Sequence, residues 1–279
     1  MQHVKRITIE EGRLTVKVEN AYGMYSSDYK LQDPSDLRLL RHALFQFRRD
    51  RKIRDQLRVF LERRHAAFDA YLNTHAVRKL QIGSEGMELT DWLNTDLKPR
   101  PPGVFYMNAV EPFPFPDRTF DYIFSEHMIE HVPYSDGQKM LAECHRVLKE
   151  GAKIRIATPN LANLIRTYVE PANDQVRDYL EWQVSFSKLP ESANRSCHVL
   201  NLFARAWGHQ FVYDAETLKV ALGAQGFLHL EQFAVGVSND PVLQGLEKHG
   251  TGIGEQWNEF ETLIVQGVKG QQPVQNGNA

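Results

Sequence analysis

The 279 residues are 42% hydrophobic and 24% charged, with a formal net charge of −2. These are ordinary values for a folded chain with one sizeable core and a small appendage, and so even a charge balance gives no global reason to expect a nucleic acid or membrane partner. Cys144 and Cys197 are the only cysteines, which argues against a disulfide framework and suits a reducing compartment. The opening MQHVKRITIE has no apolar centre of signal-peptide type and no run reaches membrane-spanning length, so the expectation is a cytoplasmic protein without a membrane span.

In chain order, RITIEEGRLTVKVEN alternates apolar and polar residues around Glu11-Gly12 and predicts a β-hairpin. DPSD at 33–36 reads as a helix start. From there to about Leu72, Leu40, Leu44, Phe47, Ile53, Leu57, Phe60 and Leu61 recur at helical spacing, with a polar side rich in arginine. One long basic helix or a bent pair is expected, too apolar on one side for a solvated arm, and a homodimer could form through it. Phosphate attraction is a second use for those arginines, a solvated basic face the plainer one.

At Arg78 the texture changes to short apolar runs: KLQIG, DWLNTDL, VFYMNA, FDYIFSE and KIRIATP. SDGQKMLAECHRVLKEG predicts a helix with Ser135 as N-cap and Gly151 as its stop, and DAETLKVALGAQG a second, opening on Asp214. FLHLEQFAVG and FETLIVQGVKG read as terminal strands. Strands alternating with helices predict an α/β, doubly wound and mostly parallel sheet, covered on both faces. The expected organisation is an N-terminal hairpin and helix over 1–77 and a sheet domain over 78–269. That domain would carry a helical, substrate-covering insertion at about 159–212, and 270–279 would form a disordered tail.

In such a sheet, ligands sit beyond the carboxyl ends of the strands. Gly83 and Gly86 follow the first of these strands. Asp96 ends the second, where a carboxylate can accept both hydroxyls of a ribose. Asn108 ends the third, within reach of a purine edge, and FSEH ends the fourth. Four strand ends with fitting chemistry in order say more than a glycine pair, which alone is usually a tight turn.

With these residues in place, the sequence resembles the class I S-adenosylmethionine-dependent methyltransferases over roughly residues 78–235. LQIGSEGMELTDWLNTDL is similar to the first motif of one branch of predicted methyltransferases. EPFPFPDRTFDYIFSEHMIEHV and RVLKEGAKIRIATPN look like its next two blocks, and WGHQFVYDAETLKVALGAQGF like its late helix and strand. The resemblance implies a seven-stranded sheet and a cofactor site made by Gly83, Ser84, Gly86, Asp96, Asn108 and the backbone around Ser125. Glu85 departs from the pattern, standing where relatives carry a second glycine, so a non-catalytic methyltransferase-like binding or scaffold protein is an alternative.

FSEHMIEHVPY also contains H-x-x-E-H, the zinc signature of a protease class. That reading needs both histidines on a helix of a zincin-type fold; here the motif follows a buried strand, which excludes it. The plain alternative is a Glu-His pair that orients the turn. A sharper one comes from resemblance to two metal-dependent O-methyltransferase groups, acting on polyprenyl catechols and on the 3′-terminal ribose of small RNAs. Both show Glu-x-x-Glu-His here, and the RNA group adds a later histidine. This implies His127, Glu130, His131 and His209 as ligands, with Mn, Fe, Co or Zn favoured over Mg by the donor set. Catalysis would rest on His127, His131 and His209, with His127 or His209 as general base should no metal bind.

The expected reaction is methyl transfer to a hydroxyl of a saccharide or polyol, a small-molecule or glycan acceptor. An RNA terminal ribose 2′-hydroxyl is the alternative; it is not favoured because no RNA-binding module is evident. Trp182, Phe186 and Trp207 could form a sugar-stacking wall or simply helical core. Cys197 and His198 could line the pocket or pack. Asp117 and Asp121 are expected to shape the turn before the fourth strand.

Overall fold

The computed structural model describes residues 3–10, 13–20, 23–30, 59, 63–100, 102–189 and 195–270. The helix start at DPSD, most of the long basic helix with its dimer face, and residues 271–279 of the tail lie outside the described residues. The chain divides into two compact units, Met1–Ala66 and Ala67–Ala279, whereas the change of sequence texture suggested a boundary at 77/78. The division falls inside a helix, α1 (63–74), because Phe68 and Tyr71 are buried in the core of the second unit.

In the first unit β1 (His3–Glu10), β2 (Arg13–Asn20) and β3 (Gly23–Lys30) form an antiparallel sheet. Glu10 pairs with Arg13 and Asn20 with Gly23, so each connection has two residues. GMYSSDYK carries no apolar alternation, and β3 was therefore not foreseen.

The second unit is built on seven strands. They are β4 (Lys79–Ile82), β5 (Leu93–Asp96), β6 (Val104–Tyr106), β7 (Phe120–Glu126), β8 (Leu148–Pro159), β9 (Phe227–Phe233) and β10 (Thr262–Lys269), in the spatial order β6-β5-β4-β7-β8-β10-β9. The pairs β6-β5, β5-β4, β4-β7 and β7-β8 are parallel; β10 runs antiparallel to both its neighbours. One face carries the main core, where Leu80, Ile82, Ile123, Ile154 and Ile156 of the strands meet Phe68 and Tyr71 of α1. Met140, Leu141 and Cys144 of α2 (Tyr134–Val147) and Leu218 and Leu222 of α6 (Ala215–Gly223) complete it.

Helix α2 differs from expectation at both ends. Ser135 lies inside the first turn; Pro133 is the N-cap and makes no side-chain cap bond. At the other end the chain passes from Val147 straight into β8, and Gly151, at φ +74°, sits inside that strand. Phe120 pairs with Leu148 but Tyr122 with Lys153, so Gly151 serves a β-bulge rather than a helix stop. Asp214 does cap α6, accepting from the Thr217 N–H at 2.7 Å. Asp121 and Asp117 shape the approach to β7 as expected. Asp121 accepts from the Arg78 N–H and Lys149 Nζ, and Asp117 from Arg146 Nη1.

The second face of the sheet has a different cover near its β4–β5 connection. Ten residues, 83–92, join the parallel strands β4 and β5 without a helix, shorter than the dozen or so a crossover usually needs. The uncovered face is closed by the segment 234–249 after β9. Its Leu243 and Leu246 pack with Leu89, Trp92 and Phe124. Asp240 accepts from Lys153 Nζ at 2.7 Å and Tyr122 Oη at 3.1 Å. Arg155, pointing to this face from β8, pairs with Glu247 and also donates to the Val237 carbonyl.

Above the carboxyl ends of the strands, α3 (Leu161–Val169), α4 (Asp174–Phe186) and α5 (Arg195–Arg205) intervene between β8 and α6. α7 (Gly250–Ile253) and α8 (Glu255–Glu261) lead into β10. Leu164, Tyr179, Val199, Phe203 and Phe260 give this cap its own apolar cluster. Among the described residues no helix is long and apolar enough to cross a membrane.

Candidate active site

A cavity of about 390 Å³ lies between the strand ends and the helical cap. Its floor comes from the turn after β7. His127 takes φ +44°, a conformation uncommon for a residue with a side chain, and its N–H is held by the Ala157 carbonyl at 2.9 Å. The chain then enters a 3₁₀ turn, Ile129–His131, pinned by the fully buried Ile129. That turn carries the Glu130 carboxylate inward and leaves His131 at the cavity wall.

Glu130 is fully buried and satisfied on both oxygens. Oε1 lies 3.2 Å from His127 Nδ1, and Oε2 accepts from Thr158 Oγ1 at 3.0 Å. Burial by itself pushes the carboxyl pKa up, but the hydrogen bond and charge of His127 outweigh it and hold the pKa below the usual range. The same pair acts on His127 in reverse. Burial pulls it down, and Glu130, then Glu126 and Glu261, bring it above the usual histidine range. Proton on His127 and charge on Glu130 are therefore mutually supported. His127 Nε2 is engaged as well, 3.2 Å from Thr262 Oγ1.

The far wall arrives with residues 207–211. Trp207 and Gly208 both take positive φ, +54° and +86°, and the turn is tied to the floor by three bonds. The Gln210 and Phe211 N–H groups donate to the Glu130 carbonyl at 2.7 and 3.2 Å, and Gln210 Nε2 donates to the His131 carbonyl at 2.7 Å. His209 is thereby set edge-on to His131, ring centroids 4.9 Å apart. Its Nδ1 meets the Phe203 carbonyl at 2.7 Å, which assigns the proton to Nδ1 and leaves the Nε2 lone pair free. Burial pulls the His209 pKa down, which keeps that lone pair available.

Of the residues expected to act together, Glu130, His131 and His209 each place a donor atom within 4.8 Å of the other two. His127 stands behind Glu130, its two ring nitrogens turned to Glu130 and Thr262. Trp182, Phe186 and Trp207 all line the cavity, Phe186 and Trp207 about half exposed. Cys197 and His198 lie on α5 and are not among its lining residues. Among the lining residues that escaped the sequence reading, His249 and Glu261 are the titratable ones; no local motif marks either, since each reaches the site through long-range packing.

The expected cofactor residues cluster beside this cavity at the ends of β4 and β5. Gly83 has φ +71°, and a Cβ there would fall 2.4 Å from Met128 Cγ, so this position demands glycine. Gly86, at φ +92°, turns the loop again. Asp96 accepts from the Glu85 N–H on one oxygen at 2.9 Å and from the Lys98 N–H on the other at 2.7 Å. A carboxylate has about four acceptor sites, so two remain for the two hydroxyls of a ribose. The Ser84 hydroxyl is buried with no partner. Asn108 is partly exposed and its Oδ1 accepts from the Val110 N–H. The Ser125 side chain is spent inside the sheet, donating to the Ile82 carbonyl at 3.0 Å, which leaves only its backbone for a ligand. Glu85, at φ +48°, reaches the cavity rim.

Residues 87–156 match the family described as Methyltransferase domain. No curated protein matches the chain. Among solved structures, an S-adenosylmethionine-dependent methyltransferase from Archaeoglobus fulgidus is similar at 18% identity and TM-score 0.41, covering 76% of this chain and 94% of its own. The YcgJ protein of Bacillus subtilis is similar at 14% identity and TM-score 0.40, covering 75% of this chain and 100% of its own. Phosphoethanolamine N-methyltransferase 2 of Haemonchus contortus is similar at 16% and 0.36, covering 70% and 49%. Residues 87–156 thus carry the match to a methyltransferase domain, and the seven-stranded, mostly parallel sheet that holds them is the frame expected of the class I, S-adenosylmethionine-dependent type.

Proposed function

We propose that the chain methylates a hydroxyl of a neutral, ring-bearing polyol such as a saccharide, with a divalent transition metal held by Glu130, His131 and His209. The observation that carries this reading is the convergence of one carboxylate and two imidazoles in a cavity walled by Trp182, Phe186 and Trp207. The donor set fits such an ion. Glu130 is held ionised, His209 presents a free Nε2, and each is braced from behind, by His127 and Thr158 in one case and the Phe203 carbonyl in the other. Two nitrogens and one oxygen suit Mn, Fe, Co or Zn better than Mg. A metal bound there would lower the pKa of a coordinated hydroxyl.

The lining also speaks to the acceptor. None of the described residues around the cavity is Arg or Lys, while Glu85, Glu130 and Glu261 all face it. A phosphate-bearing acceptor, an RNA terminus included, would meet carboxylates without a cationic partner, at a cost that grows as water is excluded. A sugar ring can instead lay its apolar face on the exposed aromatics and turn its hydroxyls toward Glu130, His131 and His209.

The test has two arms: calorimetric titration with S-adenosylmethionine, then S-adenosylhomocysteine release with methyl glucoside, myo-inositol and catechol, before and after exhaustive chelation. Metal-dependent turnover of a diol is the expected result. Cofactor binding with undiminished turnover after chelation would remove the metal, and cofactor binding with no turnover of any diol would remove the hydroxyl acceptor.

A further inference from the structure

His249 is the fourth imidazole of the cavity, brought there by the segment that closes the second face of the sheet. Its position is built from several directions. The Glu126 carboxylate, at the end of β7, accepts from the backbone N–H of Lys248 and of His249, each at 3.0 Å. The His249 ring lies against His127 with centroids 4.0 Å apart. Its Nε2 is 3.8 Å from Glu261 Oε2, and the other Glu261 oxygen accepts from Tyr179 Oη at 2.7 Å. Glu261 and Tyr179 are both buried; burial, and then the Glu261 charge, raise the Tyr179 pKa and keep it a donor.

The remaining rings have other roles. His127 is engaged at both nitrogens, and His131 and His209 face Glu130. His249 lines the same cavity with its side chain about a third exposed, so a proton placed on it has a route to solvent.

We propose that His249 takes the proton from the acceptor hydroxyl, with Glu261 and Tyr179 as its positioning residues; this rests on the hydroxyl-acceptor reading above. Glu261, whose carboxylate faces Nε2 at 3.8 Å, favours the proton on that nitrogen by its charge, which leaves the Nδ1 lone pair as the base. As the new O–C bond forms, the O–H proton passes to Nδ1. The S–C bond of the methyl donor breaks with its electron pair going to sulfur, which loses its positive charge. The imidazolium beside Glu261 then returns its proton to water, so one hydroxyl proton is released for each methyl group transferred.

Two measurements on the full chain test this. In metal-free protein with ¹⁵N-labelled imidazoles, two-bond ¹⁵N–¹H correlation should show neutral His249 protonated on Nε2, and Glu261→Gln should weaken that preference. A proton on Nδ1 in the wild type overturns the proposal, whatever the acceptor. In the homocysteine-release assay with the same three diols, His249→Asn should lower kcat by about 10²–10⁴, the range of a positioned base. Cofactor affinity and metal content should stay unchanged, and added imidazole should restore part of the rate. Should thermal melting show His249→Asn unfolded, His249→Gln takes its place. Wild-type turnover that persists in a folded His249 variant removes this proposal alone. Absence of wild-type turnover removes the hydroxyl reading and this proposal with it.

Discussion

Arg155 and Glu247 form an ion pair with no solvent exposure on either side chain, Nε to Oε1 at 2.5 Å. Arg155 stands in the middle of the sheet, and Glu247 is two residues before His249. The second Glu247 oxygen accepts from the Gly236 N–H at 2.9 Å, so this one carboxylate closes the covering segment on itself as well as on the sheet. Removing one partner of such a pair leaves a buried charge uncompensated. Glu247→Gln should therefore destabilise the chain by about 3–5 kcal/mol, measured by urea denaturation. A loss under 1 kcal/mol would mean the segment is not held by this pair.

Asp96 should report on the cofactor. Its carboxylate already restrains the Glu85 and Lys98 N–H groups and retains two acceptor sites. Asp96→Ala should weaken S-adenosylmethionine binding by about 1–3 kcal/mol, the cost of leaving hydroxyl donors unpaired. Calorimetry giving the wild-type Kd would show that the ribose lies elsewhere.

Much of the fold was legible because the strands are short, apolar and separated by turn residues, and because Asp96, Asn108 and FSEH fall at strand ends. What escaped were features that depend on distant packing. β3 carries no alternation of apolar and polar residues; the 83–92 connection reads like any glycine loop, and only the structure shows that residues 234–249 replace the helix one expects above it. The Glu130, His131 and His209 juxtaposition was reachable because two of the three share one turn. His249 and Glu261 were not, since Glu126, Glu261 and Arg155 must all be in place before His249 has any reason to face the cavity. His127 illustrates the converse: helical spacing grouped it with Glu130 and His131, but its left-handed backbone turns the ring behind the carboxylate.

Acid should loosen the chain through Glu143. The Arg146 guanidinium hydrogen-bonds its carboxyl, and against the opposing effect of burial, with help from the Phe113 N–H, holds the folded pKa below the usual carboxylate range. A depressed folded pKa stabilises the fold above the unfolded value of about 4.3 and loses that contribution as pH falls through the folded value. The stability difference between wild type and Glu143→Gln should thus be constant from neutral pH down to about 5 and shrink below about 4. A difference that does not change between pH 6 and 3 would show that the pair does not shift this proton.

Gln210 offers a test of how His209 is positioned without touching a candidate ligand. Its N–H and side-chain amide both hold the floor turn, at the Glu130 and His131 carbonyls. Gln210→Ala keeps the backbone bond and removes the side-chain one, which has a net worth of about 1 kcal/mol. Metal affinity should fall modestly, with cofactor affinity unchanged. An unaltered metal Kd would mean the backbone bonds alone set the His209 arm.

His131→Ala and His209→Ala carry the decisive comparison. The two rings stand 4.9 Å apart, and each offers a donor atom within 4.8 Å of one on Glu130, so a bound ion loses its site when either is removed. Each single variant should lose metal, read by elemental analysis after dialysis against zinc or manganese. Each should also lose turnover to the same residual level, and the double variant should be no worse, because residues acting as one unit are not additive. Cofactor binding should survive in all three, since Asp96 and the glycine loop are untouched. If instead the losses multiply, the two histidines act separately and a shared ion is not what joins them. Retention of full activity in His131→Ala would leave Glu130 and His131 with only the work of shaping the turn, a role that the buried Ile129 and the Gln210 bonds could fill alone.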